Sequence, residues 1–117
     1  MTKQFSKWVK KQRIGQNELK NALNDLYSDN YEANLGGYLY KKRIRFIGRG
    51  KSGSGRTIIC YKKDDRAIFI HGFSKNEKAN LPTKELIALK EFSKLLIGLS
   101  NKSLKQATKE GTFLEVI

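Results

Sequence analysis

Apolar residues recur at helical spacing near both ends of the chain. Between residues 18 and 28 they follow the i, i+3, i+4, i+7, i+8 pattern of an amphipathic helix, and apolar residues upstream indicate a shorter helix before it. The segment after Pro82 predicts a long helix ending near Gly98, because proline is tolerated in the first helical turn. A final short helix is predicted over residues 101–110. The apolar positions behind the two N-terminal predictions are Phe5, Trp8, Val9, Leu19, Ala22, Leu23, Leu26 and Tyr27.

Three segments between these helices carry the patterns of β-strands. Residues 38–47 alternate between apolar and basic side chains, which is typical of a half-buried strand. The apolar runs 56–62 and 66–73 are separated by Lys63-Asp64-Asp65, and this arrangement predicts a β-hairpin. On the first strand, one side carries Tyr38, Tyr40, Ile44 and Phe46, and the other carries Lys41, Arg43 and Arg45.

The order of these elements predicts an α+β fold in one domain, residues 1–117. Hairpin-sized connections favour an antiparallel sheet, and we expect the helices to pack on one face of it. The opposite face would then be open. Lys41, Arg43 and Arg45 would line that open face and make it basic.

Positive charge is concentrated in the middle of the chain. The formal net charge is +13, and residues 38–66 carry 10 basic and 2 acidic side chains, a net +8 within 29 residues. A concentrated cationic field attracts phosphate polymers and makes their binding salt-dependent. A solvated surface that only keeps the protein soluble is the alternative. Because solubility alone does not require the charge to be bunched, the distribution favours nucleic acid.

Several classes of function are excluded by what the sequence lacks. A single cysteine, Cys60, and a single histidine, His71, rule out an internal disulfide and clusters of thiolate or imidazole metal ligands. We therefore expect no metal and no cofactor. No apolar run approaches the roughly 18 residues that a membrane span requires, so we expect no membrane contact and a reducing, cytoplasmic setting.

A glycine-rich basic loop is predicted over residues 48–55. It contains GxGxxG, but a strand follows where a dinucleotide-binding motif needs a helix, and Arg45 occupies the first glycine position of a P-loop. Unhindered backbone N–H groups together with Arg49, Lys51 and Arg56 predict a phosphate-binding loop. A mobile basic loop without a function is the alternative.

His71 lies in the last predicted strand. Period-two alternation places Phe69, His71, Phe73 and Lys75 on one face, a combination suited to stacking and phosphate contacts with single-stranded nucleic acid. A packed structural histidine is the alternative, since the strand is apolar. Cys60 is predicted to be buried and inert.

Residues 35–81 contain two distinctive segments, GRGKSGSGRT and GFSKNEKANL. Through these segments the chain resembles the RelE/HigB-like toxins of bacterial type II toxin–antitoxin systems. The resemblance implies the small RelE fold, a twisted antiparallel sheet flanked by helices. It also implies ribosome-dependent cleavage of mRNA in the A site, and neutralisation by an antitoxin encoded beside the toxin, often a helix-turn-helix protein.

The same resemblance implies roles for individual residues. Toxins of this kind cut without metal, by attack of a ribose 2′-OH on the adjacent phosphate. Arg56 is similar to the arginine placed against the scissile phosphate, and Lys51, Arg43 and Lys75 fall at positions of accessory cations. His71 is the candidate general acid or base. Lys41, Arg45, Arg49 and Phe73 complete the predicted RNA-binding set.

Two other functions remain open at this stage. A ParE-like inhibitor of gyrase shares the fold, but a protein–protein inhibitor does not need several converging cations on one sheet face. A nucleic-acid-binding module without catalysis accounts for the same basic strip. DNA-damage signalling on expression would favour the first alternative, and salt-sensitive RNA binding without cleavage would favour the second.

Overall fold

The computed structural model describes residues 1–46, 54–74 and 81–114 and shows an α+β fold with an open, four-stranded antiparallel sheet. The predicted fold class and all four predicted helices are confirmed. No helix within these ranges is long and apolar enough to cross a membrane. The elements are α1 Lys3–Gln12, α2 Gln16–Tyr27, β1 Ala33–Gly36, β2 Leu39–Arg45, β3 Ser54–Lys62, β4 Arg66–Ser74, α3 Thr83–Gly98 and α4 Asn101–Lys109.

The strands lie in chain order, β1-β2-β3-β4, and each pairs with its neighbour in antiparallel orientation. The predicted hairpin is confirmed, since Lys62 pairs with Arg66 across the three intervening residues. Asp64 in that turn has a φ of 61°, a left-handed conformation that aspartate tolerates better than most residues. Strand β1 was not predicted, because its sequence ANLG is short and lacks clear alternation.

Helices α1 and α2 cover one side of the sheet, which we call the first face. Their apolar residues form a buried cluster with Ile44, Ile59 and Phe69 from the three long strands. The rings of Phe5 and Phe69 stack with centroids 4.8 Å apart. Within the described ranges this cluster is the larger of two hydrophobic cores, and it fixes the orientation of the sheet relative to the N-terminal helices.

The prediction that all helices pack on one face is wrong, because α3 packs on the opposite side, which we call the second face. Leu39, Ile58 and Cys60 are fully buried there in a cluster that includes Leu96 of α3. The physical reason is the composition of β3, whose run of apolar residues alternates into both faces and needs cover on each. Only part of the second face is therefore open.

Arg66 anchors the C-terminal end of α3 to the sheet. Its side chain is 5% exposed, and its Nη1 donates to the carbonyl oxygens of Leu96 at 2.9 Å and Leu99 at 2.6 Å. Its Nη2 donates to the Asn101 side chain at 3.1 Å, at the start of α4. One cation thus satisfies the exposed carbonyls at the end of α3 and joins two helices to β4.

A β-bulge in β4 corrects a second prediction, that Phe69, His71 and Phe73 share a face. Ile59 pairs with Phe69 and Ile58 pairs with His71, so Ile70 is the extra residue. The bulge reverses the alternation beyond it. Phe69 consequently packs in the first-face core, and Phe73 packs in the second-face core.

Candidate functional site

Four basic residues gather on the second face, at the end of the sheet where β2 finishes and β3 begins. We call them the cationic cluster: Lys41, Arg43 and Arg45 of β2, and Arg56 of β3. Arg43 pairs directly with Arg56 in the strand register. Arg43 and Arg45 are exposed, whereas the side chain of Arg56 is only 12% exposed. The predicted basic strip on β2 is thus present, and the structure brings Arg56 beside it.

Glu32, just before β1, is the acidic residue of this site. Its Oε2 lies 2.7 Å from Nε of Arg56 and 4.0 Å from Nζ of Lys41. The backbone holds it there, because the Glu32 amide donates to the Lys41 carbonyl at 2.8 Å. Sequence reasoning missed Glu32 because it missed β1. The Gly36-Gly37 pair, with φ values of 83° and 61°, was the available signal for a hairpin joining β1 to β2.

The charges in the cluster are arranged unevenly. Like charges directly opposite each other on paired strands are unfavourable, and Arg43 and Arg56 occupy such positions. Glu32 offsets the charge of Arg56. By contrast, no acidic residue within the described parts of the chain forms an ion pair with Arg43 or Arg45. The cluster therefore keeps a net positive charge facing solvent, where a phosphate chain can bind.

His71 lies on the same face of the sheet as Arg56. Its register partner, Ile58, is two residues beyond Arg56 in β3 and so shares that face. The imidazole is half-buried, and its ring centroid lies 6.1 Å from that of Phe73. The bulge at Ile70 is what turns His71 to this side, since regular alternation would have aimed it at the first-face core.

Phe73 does not have the exposure that its predicted RNA-stacking role requires. The residue is 1% exposed and belongs to the second-face core. A ring packed on both sides offers no surface for a nucleobase. Sequence alternation can assign Phe73 to a face of the sheet, but it does not show that the second-face core buries the ring.

Three predicted site residues, Arg49, Lys51 and Lys75, lie outside the described residues. The strand ends that border those segments do lie near the cationic cluster. Arg45 pairs with Ser54, and Gly55 pairs with Ser74, so β2, β3 and β4 all meet the undescribed segments at this end of the sheet.

Cys60 is buried, as the sequence predicted. Its thiol is buried beneath α3, where Oγ of Ser93 lies 3.2 Å from Sγ. Burial raises the pKa of the Cys60 thiol, so the reactive thiolate is disfavoured. Within the described ranges, no group of three or more histidine, cysteine, aspartate or glutamate side chains is arranged to hold a metal ion.

Comparison with known proteins identifies the family. A profile described as "RelE toxin of RelE / RelB toxin-antitoxin system" matches residues 1–116. Searches of curated proteins and of solved structures gave no significant match. The profile covers nearly the whole chain and agrees with the resemblance carried by the loop and the last strand. The chain therefore belongs to the RelE family, the toxins of RelE / RelB toxin–antitoxin systems.

Proposed function

We propose that this toxin is a ribosome-dependent, metal-independent endoribonuclease that cleaves mRNA in the A site and so inhibits translation. The observation that carries the proposal is the cationic cluster, in which Arg43 and Arg56 lie opposite each other on an open part of the sheet. Family membership supplies the toxin role. The cluster supports phosphodiester chemistry because it concentrates fixed positive charge at one place.

The proposed reaction is an attack of the ribose 2′-OH on the adjacent phosphorus. The bond to the 5′ oxygen breaks, leaving a 2′,3′-cyclic phosphate on one fragment and a 5′-OH on the other. Arg56 stabilises the negative charge that builds up on the phosphorane, with Lys51 and Lys75 as further cations. His71 transfers a proton as general acid or base, a role for which an imidazole side chain is suited near neutral pH.

RNA binding is assigned to the three cations of the cluster that lie on β2 and to Arg49 of the predicted glycine-rich loop. Lys41, Arg43, Arg45 and Arg49 contact backbone phosphates. Such contacts position the strand without selecting its sequence. Codon choice would then come from the ribosome and from the bases presented in the A site.

A cognate antitoxin is the second partner, in keeping with the family. We propose that its gene lies beside the toxin gene, that it carries a helix-turn-helix domain, and that an acidic segment of it covers the cationic cluster. Charge complementarity favours such a contact. Because ribosomes are the target, the proposal places the toxin in the cytoplasm. Copurification of the two gene products would support this pairing, and harmless expression of the toxin alone would count against it.

The test uses purified toxin and ribosomes programmed with a defined mRNA and a vacant A site. We expect cleavage within the A-site codon, with a 5′-OH on the downstream fragment that polynucleotide kinase can label directly. Intact mRNA under these conditions would refute the proposal. Salt-sensitive RNA binding without cleavage would indicate a non-catalytic module, and DNA-damage signalling on expression with intact transcripts would indicate a gyrase inhibitor.

A further inference from the structure

Among the described residues of the site, Glu32 has no role in the sequence motifs or in the proposed reaction. We infer that Glu32 is a positioning residue: its carboxylate holds the Arg56 guanidinium in the orientation that meets the scissile phosphate. The inference rests on the proposed function and adds a residue to that site. Three features of the structure carry it, namely the atoms that make the contact, the burial of Arg56, and the charges around it.

The contact engages the inner edge of the guanidinium. Glu32 Oε2 accepts at 2.7 Å from Nε of Arg56, and Nη1 of Arg56 donates to the carbonyl oxygen of Gly55 at 3.4 Å. A guanidinium carries five N–H donors in a fixed planar fork. These two contacts fix the plane of the fork and leave further donors for a phosphate, which arginine binds best in a bidentate manner.

Burial makes the carboxylate necessary for this orientation. The Arg56 side chain is 12% exposed, so water alone solvates its charge poorly, and a buried cation needs a partner. Glu32 is 36% exposed and lies within reach of both Arg56 and solvent. Without the carboxylate, Arg56 would gain more by turning outward into water than by staying against the sheet.

Repulsion from neighbouring cations acts in the same direction. Arg43 lies directly opposite Arg56, and Lys41 lies 4.0 Å from the same Glu32 oxygen. Removing the negative charge would leave these cations facing one another across the strand pair. The position of Arg56 is therefore set by Glu32, and not by packing alone. Small displacements of a group that contacts the transition state reduce the rate strongly.

The experiment compares Glu32→Gln with Asp25→Asn, a matched control. Asp25 of α2 forms an ion pair at 3.1 Å with Lys42 on the first face of β2, and the Asp25 side chain is 48% exposed. Each variant removes one negative charge from an ion pair with the sheet: Glu32 pairs with Arg56 of β3, and Asp25 pairs with Lys42 of β2. The two variants change the net charge of the protein by the same amount, so an effect of net charge alone is the same in both. A difference in cleavage rate therefore reports the position of Glu32.

We expect the single-turnover cleavage rate of Glu32→Gln at saturating toxin to fall about tenfold although its RNA affinity is not reduced, whereas Asp25→Asn should cleave at close to the wild-type rate. Glu32→Asp, which keeps the charge on a shorter stem, should lie between the wild type and Glu32→Gln. The shape of the pH–rate profile should not change. Equal cleavage by Glu32→Gln and Asp25→Asn, with the wild type active, would overturn the inference. So would loss of one limb of the pH profile, since the carboxylate would then be transferring a proton.

A second measurement does not depend on cleavage. In the NMR spectrum, the Arg56 Nε–Hε resonance should shift in Glu32→Gln and respond less to titration with inorganic phosphate, while Asp25→Asn should match the wild type. An unchanged Arg56 resonance and an unchanged phosphate response would overturn the inference. If the wild-type toxin fails to cleave mRNA, the proposed function fails, and this measurement still decides whether Glu32 positions Arg56.

Discussion

The two faces of the sheet are formed by the same strands but differ in composition. On β2, Ile44 points into the first-face core beneath α1 and α2, while Arg43 and Arg45 on either side of it face solvent. Lys42 also lies on the first face, but Asp25 of α2 neutralises it at 3.1 Å. On the covered face a cation is paired with a helix carboxylate. On the open part of the second face, cations accumulate.

This difference separates stability from function at the level of single residues. Core residues on the first face contribute through apolar burial, which is worth several kcal/mol for a large side chain. Cations on the second face repel one another and contribute little to folding, and removal of one charge costs less than removal of a buried ring. Substitutions at adjacent positions of β2 should therefore have different consequences. A change at Ile44 should lower the stability of the fold, and a change at Arg43 should weaken RNA binding.

The largest effect is expected for Phe69→Ala in the first-face core. The ring is 1% exposed and stacks on Phe5 of α1, so truncation leaves a cavity between helix and sheet. The free energy of unfolding should fall by about 3–5 kcal/mol, as measured by urea denaturation. A loss below about 1 kcal/mol would show that α1 does not depend on this contact.

Gly72→Ala tests the packing of α1 on the first face by introducing a steric clash. A Cβ at Gly72 would lie 2.3 Å from Cε3 of Trp8, so the indole ring of α1 must move. We expect the free energy of unfolding to fall by about 1–3 kcal/mol. Gly98→Ala is the control, because a Cβ there meets nothing within 4 Å, and alanine should stabilise α3 slightly. Equal stability of the two variants would contradict the tight approach of α1.

On the second face, His71→Gln should reduce single-turnover cleavage on programmed ribosomes by at least about tenfold and leave RNA binding unchanged. Glutamine preserves hydrogen bonding and approximate size, so the stability of the fold should change little. Unaltered cleavage would assign the proton transfers elsewhere and leave His71 as a structural residue of the bulged strand.

The smallest effect is expected for Arg43→Gln. Loss of one phosphate contact should reduce the slope of log affinity against log salt concentration by about 1. Lys42→Gln removes the same charge from the neighbouring position on the first face and should leave the slope nearly unchanged. Filter binding with single-stranded RNA at several salt concentrations measures both. Identical slopes for the two variants would show that the cluster acts only through its overall charge.

The sequence predicted most of the fold because its periodic signals are strong. The alternation in β2, the turn of β3 and β4, and the apolar spacing of α2 and α3 all correspond to elements of the structure. The errors arose where local pattern does not determine the outcome. A one-residue bulge at Ile70 separated Phe69 from Phe73, and the placement of α3 on the second face depended on burial of both sides of β3.

The candidate site was predictable only in part, for a related reason. The alternating pattern of β2 predicts that its basic residues share one face, and the strand register then brings Arg56 beside Arg43. Glu32 gives no such signal, since it lies before a short strand and reaches Arg56 only through the folding of β1 onto β2. Contacts between side chains that are distant in sequence need the register, and the register comes from the structure.

The most direct test of the account is the cleavage rate of Arg56→Ala on programmed ribosomes, measured beside Lys42→Gln. The account predicts that Arg56→Ala loses about 10²–10³-fold in single-turnover cleavage, because it removes charge stabilisation from the transition state. Both variants should remain folded, and Lys42→Gln should cleave at close to the wild-type rate. A folded Arg56→Ala variant that cleaves mRNA as fast as the wild type would contradict the assignment of the cationic cluster as the catalytic site.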